Sequence, residues 1–333
     1  MDPTEGVQSS NASARSWLNV VISLGKIVVA GGLLIWLLSS DRLDFSSLQS
    51  IHHWEYVWLA GACLLLNMVL LVWRWYWLLG IQGLRIDWWT ALRITWVGYF
   101  ATVFLPGSAG GDLAKAYASC RRQARAKTRA VSTVLMDRAL GLQSILFIGS
   151  VTGLAVLTRG ATARQASVIW GAIVCLGVTS LGFLLLLWRR SSGAALRLLP
   201  RRFRRAFEDS LESYREARWR LYVVWFYSCL CNVTVILAYV LAGAALGNRA
   251  ALSQVIVVPL VIVANSVPVS PGGLGVGEAA GSQLFAEFGL DEGALIVLLI
   301  RLGWILLSLP GIITVFAGTK TRERQGQACL QKS

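Results

Sequence analysis

Two apolar stretches of this 333-residue chain are each broken by a Pro/Gly run that ends in one carboxylate. The first reads Pro106-Gly107-Ser108-Ala109-Gly110-Gly111-Asp112. The second reads Pro268-Val269-Ser270-Pro271-Gly272-Gly273-Leu274-Gly275-Val276-Gly277-Glu278. Backbone that leaves a helix at membrane depth exposes N–H and C=O groups that hydrocarbon cannot satisfy. It persists only where protein buries it or where it lines a wet cavity. Paired interruptions of this kind are also the sequence marker of a transporter's binding site.

The surroundings of the two runs belong in lipid. The chain is 56% hydrophobic and only 14% charged, too few polar residues to cover a soluble domain of this size. The expected class is an all-α polytopic membrane protein. Six scattered cysteines, none at a metal-ligand spacing, read as small packing residues, and His52 and His53 share one short loop. No metal or cofactor is expected. Neither glycine run lies in a strand–turn–helix context and neither is followed by Gly-Lys-Ser/Thr, which excludes a dinucleotide or Walker loop. The net charge of +14 reports topology rather than nucleic-acid binding, because Lys and Arg stay on the cytoplasmic side.

Apolar windows lie near 17–38, 54–79, 92–105, 130–157, 166–188, 221–246, 253–267 and 293–317. Basic loops fall at 113–129 and 189–220, the latter with ten arginines against four acids, and Lys320, Arg322 and Arg324 follow in the tail. Acidic loops fall at 39–53 and 286–293. If every basic loop is cytoplasmic, 92–112 and 253–290 each enter and leave by one face. The expected fold is six transmembrane helices plus two re-entrant hairpins, with both termini in the cytoplasm.

Dividing the chain near residue 160 gives halves that read alike with opposite starting sides, an inverted repeat. Residues 1–16 form a polar tail, 17–160 the first repeat with hairpin 92–112, 161–318 the second with hairpin 253–290, and 319–333 a basic tail. Asn67 stands 39 positions before Pro106, and Asn232 stands 39 before Pro271. Arg138 and Arg301 follow the same prolines by 32 and 30.

A mid-membrane Arg costs about 2.5–3.5 kcal/mol by insertion scales, so Arg138 and Arg301 face protein or water and need an anion. Two readings stand: structural pairs with Asp137, Asp112 or Glu278, or a phosphate or carboxylate site that uses the planar Arg fork. Gly110, Gly111, Gly272, Gly273 and Gly275 permit positive-φ turns and close backbone approach, either to pack hairpins or to aim helix N–H groups at an anion. Asp112 and Glu278 either cap the following helix or, with Asp137, bind a coupling proton or a cationic headgroup. Lys115 pairs with Asp112 or meets a lipid phosphate. Asn67, Asn232 and Asn265 are expected to bond between helices. Trp73-Arg74-Trp75-Tyr76-Trp77 reads as an interfacial belt with a snorkelling Arg, and 197–218 as an Arg-rich helix lying on the leaflet.

At these residues the chain resembles the flippase-like membrane region of lysyl-phosphatidylglycerol synthases, the multiple peptide resistance factor family. The strings that carry the resemblance are Phe104–Asp112, Asp137-Arg138 and Ser270–Glu278. The resemblance covers about 15–320 and implies binding or translocation of a charged lipid in the cytoplasmic membrane, with two re-entrant elements meeting centrally. The full synthases carry a soluble catalytic domain that is expected to be lacking here. Stand-alone members often lie beside glycosyltransferases, which makes a polyprenyl-linked glycolipid the other cargo. The expected function is a lipid translocase, with a membrane-embedded enzyme or an accessory subunit as rivals. Expected partners are membrane lipids, a lipid-modifying synthase or glycosyltransferase, and a second copy of the chain.

Overall fold

The described residues of the computed structural model are 51–104, 109–123, 126–158, 160–187, 201–248, 251–265, 276–290 and 292–311, and among them every regular element is an α-helix. The expected span 17–38, both tails, the loop 189–200 and the second Pro/Gly run through Gly275 lie outside the described residues.

In chain order the helices are α1 Trp54–Ile81, α2 Trp88–Phe104, α3 Ala109–Arg122, α4 Lys127–Leu157, α5 Ala163–Leu187, α6 Arg201–Glu216, α7 Arg218–Ala245, α8 Ala251–Asn265, α9 Val276–Glu287 and α10 Gly293–Ser308. Four of them are long and apolar enough to cross a bilayer: Trp54–Ile81, Lys127–Leu157, Ala163–Phe183 and Arg218–Ala245. The surface of these helices is apolar as well as the interior. Along α7, Tyr222, Phe226, Leu230, Val233 and Leu237 form an exposed stripe, while Leu221, Val224, Ser228, Cys231 and Val235 are buried. A helix that is apolar on both faces belongs in lipid.

Helix ends are set by local chemistry. After α1, Gly83 at φ 69° lets its N–H bond Gly80 O and the Leu84 N–H bond Leu79 O, closing two orphan carbonyls. Gly247 ends α7 in the same way at φ 83°. Asp87 starts α2: its Oδ2 accepts from the Thr90 N–H at 2.9 Å. Hydrogen bonding from Thr90, by its side chain first and then by its N–H, holds the Asp87 carboxyl below the ordinary carboxylate value.

α1 and α7 form the most extensive pairing, and the N–H groups of His52 and His53 bond Ala245 O, so the start of α1 sits at the end of α7. α2 packs on α3, and α8 packs on α9. These arms hold 17, 14, 15 and 12 residues, each short of the roughly 20 that a full crossing takes. α4 touches α1, α3, α7 and α8, while α10 touches α7, α9, α1 and α2. Exchanging α1 with α7, α2/α3 with α8/α9, and α4 with α10 therefore maps these contacts onto one another.

Three expectations change. The segment 113–129 is mostly helix rather than loop, because Ala-rich α3 runs to Arg122, with Asp112 in its first turn and Arg121 and Arg122 in its last. Both placements suit the helix dipole. Gly110 and Gly111 are helical, not positive-φ turn residues. Gly111 instead allows close approach: a Cβ there would lie 2.5 Å from Gly98 O on α2. The tryptophan belt also divides. Trp73 and Trp77 face out, whereas Arg74 and Trp75 are buried in line with Asn67, Met68 and Val72 on the inner face of α1. One turn of helix puts neighbours on both faces, so consecutive aromatics do not share a surroundings.

α6 is docked onto the other helices. Gln82 Nε2 donates to Ser210 O at 2.9 Å, Ser210 Oγ donates to Gln82 Oε1 at 2.9 Å, and the Ser132 and Ser210 hydroxyls are 2.6 Å apart. Tyr214 packs under α6 against Leu78, Ile81 and Leu140, and burial pushes its phenol pKa up.

Candidate functional site

A cluster of charged side chains lies inside the apolar helices, on α1, α3 and α4. On α4, Thr133, Asp137, Leu140 and Ser144 recur at helical spacing and form its buried face. Asp137 sits between two cations. Arg74 Nε of α1 donates to its Oδ1 at 2.7 Å, and Lys115 Nζ of α3 donates to its Oδ2 at 3.2 Å. All three side chains are at most 10% exposed. A buried charge needs a partner and further hydrogen bonds. Arg74 Nη1 also reaches Ser228 Oγ of α7 at 3.3 Å. Lys115 Nζ lies 4.2 Å from the centre of the Trp75 ring, a cation–π contact. Trp75 is held by its own Nε1–H donating to Thr133 Oγ1 at 3.2 Å.

Room for the guanidinium comes from a glycine. A Cβ on Gly141 would lie 3.2 Å from Arg74 Nη1. Asn232 Nδ2 of α7 bonds Ser144 Oγ at 2.7 Å and Gly141 O at 3.4 Å, which fixes α7 to the same part of α4. Its counterpart Asn67 donates from α1 to Cys231 O and, at 2.9 Å, to Thr234 Oγ1 of α7.

Arg138 occupies the next position on α4 and pairs with Asp112 in the first turn of α3. This pair is more open: Arg138 is 49% and Asp112 27% exposed. It lies within electrostatic reach of Lys115 and Asp137, and Tyr99 of α2 sits among Arg74, Asp137 and Arg138. The structure thus assembles Lys115, Asp112, Asp137 and Arg138 with one residue that the sequence reading placed elsewhere, Arg74. The available signal was the cost of any Arg well inside a span.

Arg301 lies elsewhere, on α10, half-buried and interacting electrostatically with Tyr239 of α7. Between these regions Tyr99 stacks on Trp304 at 5.0 Å, joining α2 to α10. Glu278 falls in α9 and Asn265 ends α8, but both side chains lie outside the described residues, as do Gly272, Gly273 and Gly275. The sequence around the two Pro/Gly runs differs chemically at matched offsets. Seven residues after each Asn stand Arg74 and Tyr239. Three after each carboxylate stand Lys115 and Gly281, and before each Arg stand Asp137 and Ile300. At these offsets the second stretch carries no counterpart to the residues of the Arg74–Asp137–Lys115 triad.

Long apolar helices around a buried ionic cluster, with the shorter helix pairs α2/α3 and α8/α9 packed among them, define a polytopic helical membrane protein with a polar interior. The lysylphosphatidylglycerol synthase TM region family matches the chain over residues 17–313, so the chain belongs to that family. This places it among membrane proteins associated with lipid synthesis or translocation, in contact with membrane lipids. No curated protein and no solved structure matches it.

Proposed function

We propose that this protein is a translocase of the cytoplasmic membrane that moves a phosphate-bearing phospholipid or polyprenyl-linked glycolipid between leaflets. The observation that carries the reading is the charge count of the cluster. Among the described residues, Arg74, Lys115 and Arg138 supply three cations against the two carboxylates Asp137 and Asp112. A positive surplus inside apolar helices favours an anionic group, and Arg matches phosphate with two parallel hydrogen bonds. The half-exposed Arg138–Asp112 pair is the part a headgroup reaches first, while the buried triad fixes α1, α3 and α4 around it. Asp112 is also placed to take a coupling proton or the amine of a headgroup. Arg301 and Glu278 are the corresponding residues of the second repeat.

The architecture in this reading is two inverted repeats, 17–160 and 161–318, of three spans and one re-entrant hairpin each, with both termini cytoplasmic. The short arms of α2/α3 and α8/α9 and the exchange of contacts between the halves support it. One repeat rocking against the other would expose the cluster to each leaflet in turn.

The test is a headgroup-accessibility assay in proteoliposomes, with fluorescent phospholipid and Arg74→Gln, Arg138→Ala and Arg301→Ala. Loss of translocation in Arg138→Ala, with the protein still folded, is expected. Unchanged translocation in all three variants overturns the assignment.

A further inference from the structure

The outer faces of α3 and α4 meet at the Arg138–Asp112 pair. The two helices run antiparallel, side by side. Asp112 pairs with Arg138, Lys115 bonds Asp137, and nearer the turn Cys120 Sγ donates to Lys127 O at 3.6 Å. α3 buries Gly111, Lys115 and Ser119 and turns Leu113, Tyr117 and Arg121 outward, each set at helical spacing. α4 buries Asp137 and Leu140, while the exposed Leu135 and Leu142 flank Arg138 on its outer face. α4 is one of the apolar helices of bilayer length, so these leucines face hydrocarbon. The half-exposed pair therefore opens sideways onto lipid.

A charged side chain that faces hydrocarbon is expensive, and long ones near helix ends escape by snorkelling. Arg138 is too deep for that. The exposed cations Arg121, Arg122, Lys127 and Arg129 mark the turn between α3 and α4 as the membrane surface. Arg138 lies about 16 Å along α4 from Lys127 at the helical rise per residue. Polar atoms have to come to the pair instead. Arg121 stands above it on the same outer face, about 14 Å along α3 from Asp112. Its guanidinium carbon lies 5.7 Å from the centre of the Tyr117 ring, and no carboxylate pairs with it among the described residues.

We infer that a bilayer lipid brings its phosphate to the Arg138–Asp112 pair along this outer face, meeting Arg121 and Tyr117 first, while its acyl chains stay in the surrounding hydrocarbon. Arg121 and the Tyr117 hydroxyl donate to the phosphate near the surface, and the exposed part of Arg138 donates to it at depth. A free anion lacks the apolar part that the Leu113 and Leu135 surface accepts. The inference rests on the reading of the pair as a headgroup site, and adds the route and the residues by which a lipid reaches it.

The test uses the full chain in vesicles that contain phosphatidylglycerol. Spin labels at Leu113→Cys and Leu142→Cys, with the six native cysteines replaced by Ala, report collisions with oxygen and with a water-soluble nickel chelate. Oxygen is expected to dominate at both positions, and dominance of the chelate at either overturns the lateral route. The second measurement keeps the native cysteines: phosphatidylglycerol with a diazirine on its headgroup is photolysed in the same vesicles. Adducts on peptides holding Leu113 or Tyr117 are expected, reduced threefold or more in Arg121→Gln and undiminished by excess glycerol phosphate. Absence of adducts on α3, full labelling in Arg121→Gln, or competition by glycerol phosphate overturns the proposal. Translocation is scored separately. Adducts in protein that moves no lipid leave the route standing and refute the translocase, whereas translocation with Leu113 and Leu142 open to the chelate does the reverse.

Discussion

Asp137→Asn removes the one carboxylate that two buried cations share while keeping the side chain's shape. Arg74 and Lys115 are 7% and 9% exposed and contact its oxygens at 2.7 and 3.2 Å. With an effective dielectric near 20, each attraction is worth about 4 kcal/mol at a charge separation of about 4 Å. Part of that is recovered, because a neutral amide costs less to bury than a carboxylate. The net loss expected on breaking a buried pair from one side is about 3–5 kcal/mol. Asp112→Asn removes a carboxylate from an Arg that is 49% exposed, and is expected to cost about 0–1 kcal/mol. Reversible unfolding in mixed micelles, followed by circular dichroism, measures both. A third variant, Arg74→Met with Lys115→Met and Asp137→Leu, replaces the whole triad with apolar groups and should regain most of the stability lost in Asp137→Asn. Equal losses for the two Asn variants, or a triple variant no more stable than Asp137→Asn, would refute the account of the triad as a buried, mutually compensated cluster.

Other consequences are equally direct. Gly111→Ala places a Cβ 2.5 Å from the Gly98 carbonyl oxygen and forces α2 from α3, at an expected cost of about 1–3 kcal/mol. Gly61→Ala, with nothing within 4 Å, should be neutral or slightly stabilising in the same unfolding measurement. Ser210→Val leaves the Gln82 amide, 1% exposed, without its partner hydroxyl and should loosen α6 by about 1–3 kcal/mol. Faster protease cleavage within 201–216 is the readout. Asp87→Ala removes the α2 cap at about 0.5–2 kcal/mol. Because the folded carboxyl titrates below its ordinary value of 3.8, its contribution is present above that pH and is lost as pH falls through the lower folded value. The stability difference between Asp87→Ala and the unaltered protein should therefore shrink on acidification below that point, and an unchanged difference would refute the cap assignment.

The helices themselves were legible because apolar length and the helix-breaking Pro/Gly runs are local properties. The windows 130–157 and 221–246 appear as α4 and α7 with ends shifted by a few residues. Capping chemistry explains part of the shift: α3 extends through what charge alone marks as a loop because Asp112 and Arg121 suit its two ends. Asn67 and Asn232 could be singled out as polar residues in spans, but their acceptors could not. Cys231 and Thr234 lie more than 160 residues from Asn67, and Ser144 lies 88 from Asn232.

Arg74 marks the boundary most clearly. Flanked by tryptophans near the end of an apolar run, it has the sequence of a snorkelling interface residue. Hydropathy and neighbours cannot tell a guanidinium reaching for water from one reaching for Asp137, 63 positions away. The sequence alone determined that this chain belongs in lipid, that two Pro/Gly runs interrupt its apolar stretches, and that each run ends in a carboxylate with an arginine some 30 residues after its proline. Only the packing of α1, α3 and α4 decided which charges meet. Ion pairing depends on distance and burial, and those are fixed where helices cross rather than along any one of them.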